Sequence, residues 1–198
     1  MNAPSEVRTH HVGMNAAAAV VLAASMAAGR KGALVRGEAS AFRWLNDLPH
    51  TFAPPVVVLM QGGNGLMALG APLIGMAARV SPRRAVASGI AAFAGWQLAK
   101  GVKSLVQRGR PTYFFNDVQL RDGDPSGLGL VSGHATVAFA VATTLAPELS
   151  SSARRVAFLA AGGVGLARVY VGAHLPLDVI GGSALGILVG HAAEALSG

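Results

Sequence analysis

Three short stretches carry residues whose types and spacing can do chemistry, and each interrupts sequence that is otherwise apolar. The first runs from Lys103 to Arg110-Pro111, the second is Ser132-Gly133-His134, and the third places Arg168, His174 and Asp178 within eleven residues. Lys103, Arg110 and Arg168 supply permanent positive charge, and a guanidinium fork matches phosphate oxygens two at a time. Ser132 and Gly133 stand where a helix begins, so free backbone N–H groups and the positive end of the helix dipole receive an anion there. Two histidines provide a nucleophile and a general acid near neutral pH. Asp178 follows His174 by four residues, and Pro176 is suited to open the helix between them. A carboxylate so placed takes the imidazole Nδ1–H, frees Nε2 to attack and stabilises the positive charge that develops. Together these are the parts of phosphoryl transfer through a histidine.

The elements that must position these residues are apolar and long. Of 198 residues, 52% are hydrophobic, 13% are charged and 26 are glycine, with a mean hydropathy of +0.48. Disorder is excluded by that composition, and an ordinary soluble domain would carry about twice the charge. The absence of cysteine excludes a disulfide framework, a thiolate metal site and a cysteine nucleophile. A spanning helix needs roughly 20 apolar residues. Six segments approach that length: residues 12–29, 51–78, 85–99 (extended to 102), 125–147, 156–173 and 176–193. The expected fold is therefore an all-α membrane bundle of about six transmembrane helices, with 1–198 as a single integral-membrane domain.

Orientation follows from the basic loops. Arg79, Arg83 and Arg84, with Arg154 and Arg155, place two loops and the N-terminus in the cytoplasm. Arg30, Lys31, Arg36 and Arg43 count against this, as do the basics of the 103–121 loop, although several of those read as chemical. On this topology all three chemical clusters share the extracytoplasmic face. The first 29 residues also admit a reading as a signal peptide, with Arg8 ahead of an apolar core. Residues 30–50 form an amphipathic connector in which Phe42 and Trp44 suit a membrane interface. Gly162, Gly163 and Gly165, with Gly181, Gly182 and Gly186, let helices approach closely. Asp117, Asp122 and Asp124 read as a solvated loop rather than a cation site. His191 and Glu194 pair locally and are assigned no function.

Taken together, the motifs resemble the type 2 phosphatidic acid phosphatase family. Its pattern is Lys-x6-Arg-Pro, then Pro-Ser-Gly-His, then Ser-Arg-x5-His-x3-Asp, and the likeness covers about residues 55–190. Val131 stands where the family has Pro, and Ala167 where it has Ser. The resemblance implies that His174 is the nucleophile, oriented by Asp178, and that His134 protonates the leaving group. It implies that Lys103, Arg110, Ser132, Gly133 and Arg168 bind phosphate, and that no metal or other cofactor takes part. The implied substrate is a phosphate monoester or diphosphate of a lipid: phosphatidic acid, phosphatidylglycerol phosphate or a polyprenyl (di)phosphate. A vanadate-dependent haloperoxidase shares the constellation but is larger and soluble. A small transporter would set its charges at mid-membrane, whereas these lie at span ends. The net charge of +7 points to an anionic partner, but basics dispersed among spans, with 6% aromatics, are not a nucleic-acid surface. Oligomeric state is left open.

Overall fold

The computed structural model describes residues 3–197, with side chains from residue 11 onward; the side chain of Arg8 lies outside that range. Eight α-helices account for most of the described chain: α1 (Ala3–Gly29), α2 (Glu38–Asn46), α3 (Ala53–Met60), α4 (Met67–Ala77), α5 (Pro82–Val106), α6 (Gly133–Leu145), α7 (Ser151–Tyr170) and α8 (Pro176–Ser197). The described residues form no strand, only an isolated bridge between Gly109 and Leu128. Local sequence sets the helix starts. Ser81, Ser132 and Ser150 each cap a helix through the side-chain oxygen, and Pro82 and Pro176 occupy first positions where a missing N–H costs nothing.

Packing centres on α6 and α8. Nearly every side chain of α6 is buried, and α8 packs against α6, α1 and α5. Glycines set this distance, because a Cβ on Gly182 would lie 2.5 Å from the carbonyl oxygen of Ser132 and one on Gly190 equally close to Thr143. Around this interior, large apolar side chains stand exposed on α1, α4, α5 and α7, among them Val20, Leu69, Leu73, Ile90, Phe93 and Leu159. An apolar belt of that extent belongs in lipid rather than in water.

Two of the expected spans take a different form. Residues 51–78 are not one rod: α3 and α4 are bent by 91° at Gln61–Gly63 and the residues just after it. Gly62-Gly63-Asn64-Gly65 explains the break, since glycine contributes neither helix propensity nor side-chain burial. Residues 125–147 are not one helix either. Helix begins only at Gly133, and the stretch from Asp122 to Leu130 is irregular under its Gly, Pro and Ser content. At 13 residues, α6 is about 20 Å long, short of a bilayer core. By length and apolarity, two helical segments among the described residues can cross a membrane, His11–Gly29 and Pro176–Ser197, or three if the bent pair counts as one.

The connector also departs from expectation. Trp44 is exposed, but Phe42 is buried against Val169 and Leu175 and stacks on Phe115, so it is core rather than interface. Residues 12–29 form a packed helix whose Ser25 is buried near Gly181 of α8. Among the paired glycines, Gly162 has no neighbour within 4 Å of a would-be Cβ and makes no close approach.

These contacts give a paired prediction. Gly182→Val forces α6 and α8 apart and should destabilise the protein by about 1–3 kcal/mol, lowering its Tm in detergent. Gly162→Ala should leave Tm unchanged or raise it slightly.

Candidate active site

The three chemical clusters meet where α5 ends, α6 begins and α7 turns into α8. Lys103 occupies the last turn of α5 and its Nζ donates to the carbonyl of Leu128 at 3.0 Å. Gln107, at a left-handed φ of 56°, then reverses the chain and sends Arg108 inward. Ser132 caps α6, its Oγ accepting from the N–H of Ala135, and leaves His134 one residue into the helix. The break between α3 and α4 serves this point: Gly63 sits so close to the His134 carbonyl that a Cβ there would be 2.5 Å away. Arg168 lies in the last turn of α7, and its carbonyl accepts both the Ala173 and the His174 N–H at 3.1 Å, closing the turn that carries His174.

His174 is buried, with Nδ1 3.4 Å from Asp178 Oδ2. The same carboxylate oxygen accepts the Leu175 N–H at 2.9 Å, and the Asp178 carbonyl accepts the N–H of Ser132 at 2.8 Å. Thus the start of α6 is bonded directly to the start of α8. Burial holds the His174 imidazole well below its ordinary pKa, and the nearby charges of Lys103, Arg168 and Arg110 push the same way. A ring kept neutral in this manner retains the lone pair a nucleophile needs.

These residues enclose a cavity of about 170 Å³. Lys103, Arg110, Gly133, His134, Arg168 and His174 line it, joined by Trp96, Ala99 and Lys100, and among the described residues no carboxylate does. The Nε groups of Arg110 and Arg168 are buried without a hydrogen-bond partner among the described residues. Buried donors are normally paired, so two orphans beside one polar cavity mark a place for an anion. Asp178 stands behind His174, away from the wall. Ser132 is not on the wall either; its hydroxyl is engaged in capping. The acidic loop is not merely solvated: Asp122 Oδ2 lies 3.5 Å from Arg168, and the carbonyl of Asp124 accepts from Arg110. Val131 and Ala167 are both buried, Val131 against Gly181.

Sequence reasoning missed four residues here. Trp96 meets the His134 ring edge-on with centroids 5.6 Å apart, and Lys100 lies 5.8 Å from the Trp96 ring. More consequential are Arg108 and Glu38. Arg108, fully buried, donates to Glu38 at 2.7 and 3.0 Å and to Asp178 Oδ1 at 3.1 Å. Glu38 in turn accepts the N–H groups of Leu177 and Val35. Asp178 is thereby held from both sides, by Arg108 on one oxygen and by Leu175 and His174 on the other. The sequence signal was slight, one of two acidic residues (Glu38 and Asp47) in a basic connector.

Comparison with known proteins places this chain among the membrane phosphatases. Residues 85–196, more than half of the chain, match the PAP2 superfamily, and the chain belongs to that family of type 2 phosphatidic acid phosphatases. It is similar in fold to LpxE of Aquifex aeolicus, at 24% identity and a TM-score of 0.69, over 77% of this chain and 91% of that one. It is also similar to a transmembrane PAP2-type phosphatidylglycerolphosphate phosphatase from Bacillus subtilis. There the identity is 21% and the TM-score 0.61, over 99% and 96% of the two chains. No curated protein sequence matches.

Removing Arg108 leaves two buried carboxylates, Glu38 and Asp178, without their counter-charge. Arg108→Met should cost about 3–5 kcal/mol and lower Tm accordingly. Arg43→Met, which breaks the exposed pair with Asp117 at 2.7 Å, should leave Tm unchanged.

Proposed function

We propose that this protein hydrolyses a phosphate monoester or diphosphate of a lipid through a phosphohistidine, without a metal at the phosphate site. The observation that carries this reading is the cavity itself: among the described residues it shows four cations, two imidazoles, two unpartnered guanidinium Nε groups and no carboxylate on its wall. Such a lining binds and neutralises a phosphoryl group with fixed charges and offers a divalent cation no hard oxygen ligand from a carboxylate.

In the proposed reaction, Lys103, Arg110, Arg168 and the Gly133 N–H hold the phosphoryl oxygens, and Ser132 acts by fixing the start of α6. His174 Nε2 attacks phosphorus, the bond to the lipid oxygen breaks, and His134 delivers a proton to that oxygen. Asp178 accepts the Nδ1–H and stabilises the ring's positive charge. Water then attacks the phosphohistidine, His134 takes the proton, and inorganic phosphate leaves with the imidazole restored. The family's Pro and Ser, replaced here by Val131 and Ala167, carry neither bond-making step.

We further propose that residues 1–198 form one domain crossing the membrane six times, with α5 to α8 as four crossings despite the shortness of α6. Arg83, Arg84, Arg154 and Arg155 lie at the opposite ends of α5 and α7 from Lys103 and Arg168. The positive-inside rule then sets the cavity at the extracytoplasmic face. A neighbouring cleft of about 570 Å³ shares Arg110 with the phosphate cavity and is lined by Arg108, Thr112, Tyr113 and Ser126. It offers room for the rest of a headgroup. Phosphatidic acid, phosphatidylglycerol phosphate and polyprenyl diphosphate all meet these requirements.

The test is phosphate release by purified protein in detergent and EDTA from each of those three lipids. Release should persist in EDTA and fall by about a thousandfold or more in His174→Ala. Unchanged release by the variant would overturn the assignment of the nucleophile. No release from any lipid would favour a transporting or non-catalytic relative.

A further inference from the structure

At the far end of α8, about 20 Å along the helix from Asp178, a second group of titratable side chains converges. His191 and Glu194 share one face of α8 by their three-residue spacing, and His11 of α1 joins them from across the helix pair. The His11 and His191 rings are stacked 4.8 Å apart at 17°, and His11 Nδ1 lies 3.9 Å from Glu194 Oε1. One ligand-capable atom from each of the three lies within 4.8 Å of the others. Nδ1 of His191 faces the side-chain oxygen of Asn15, which fixes that nitrogen as the donor and leaves the Nε2 lone pair uncommitted. This is the outer-shell partner that metal-ligating histidines almost always have. The three residues open onto a cavity of about 680 Å³. On its wall the hydroxyl of Thr143, 3% exposed, has no hydrogen-bond partner among the described residues.

We propose that His11, His191 and Glu194 bind a borderline divalent cation of the zinc class, clasping α1 to α8 at the end of the bundle opposite the phosphate cavity. Two imidazoles and one carboxylate suit zinc, with a fourth position left open to the cavity. Bonds of about 2.0–2.1 Å in a tetrahedral site separate ligand atoms by roughly 3.3 Å, so side-chain torsions must draw the present set together by about 1.5 Å. The Thr143 hydroxyl is placed to bond a fourth ligand, and Arg154 on the same cavity favours an anionic one such as hydroxide. The site is independent of the phosphatase chemistry. It explains why the apolar helix α8 carries a buried imidazole near its end.

The experiment uses full-length protein bearing no histidine tag, stripped with EDTA and dialysed in detergent. Calorimetric titration with Zn²⁺ should show one equivalent, and Co²⁺ should give the visible absorption of a tetrahedral N/O site. Zn²⁺ should also raise Tm in proportion to its saturation. His11→Gln, His191→Gln and Glu194→Gln should each weaken binding at least tenfold, and Asn15→Ala about tenfold. Phosphate release should stay within twofold in every variant, which also shows that each has folded. Absence of saturable binding by the unmodified chain would overturn the proposal, as would affinity unchanged by all three ligand substitutions.

Discussion

One guanidinium organises the site. Arg108 lies at the junction of three elements: the end of α5, which it follows; α2, through Glu38; and α8, through Asp178. No other residue type does this. Lysine presents a point charge, whereas the guanidinium offers donors in a fixed fork that reaches two carboxylates from one plane. With one oxygen of Asp178 taken by Arg108, the other is left at a set height against His174 and the Leu175 N–H. The network contributes less to net stability than to position, because a buried ion pair recovers little beyond its own desolvation. Its effect is to fix the carboxylate that faces Nδ1 of the His174 imidazole.

Everything outside that junction works to let polar groups exist inside an apolar bundle. Small residues bring α6 and α8 close enough that the Ser132 N–H and the Asp178 carbonyl bond directly across the two helix starts. The bend between α3 and α4 brings the Gly63 backbone against His134, where an unbroken helix would have carried side chains. The short α6 puts a helix N-terminus, with its unpaired N–H groups, at the floor of the cavity rather than at the bundle's surface. The departures from straight, membrane-length helices thus coincide with the places where the site is built.

Much of the site was legible because its residue types are expensive in apolar sequence. Lys103, Arg110, His134, Arg168, His174 and Asp178 stood out for that reason, and the structure brings them to one place. Ser132 was read as a phosphate ligand from its position, yet the same position makes it a helix cap, and only geometry separates the two. Arg108 and Glu38 were hidden because a charge in a basic loop or connector reads as surface. Nothing in the order of residues says that the connector folds inward. The second and fourth spans misled for another reason: an uncharged run counts glycine as apolar, but glycine supplies neither burial nor propensity. His11 could not be linked to His191 at all, because 180 residues separate them and only the α1–α8 pairing closes the distance.

The central claim is that His174, held by Asp178 and the Arg108–Glu38 pair, forms the covalent bond to phosphorus. The direct measurement is a rapid-quench experiment with a lipid carrying ³²P in its terminal phosphate, stopped in alkali, where phosphohistidine survives. The peptide bearing the label is then identified by mass spectrometry. The account predicts label on His174, appearing and decaying at rates that match lipid consumption and phosphate release. Label on any other residue, or a complete single turnover with no labelled protein, would contradict it.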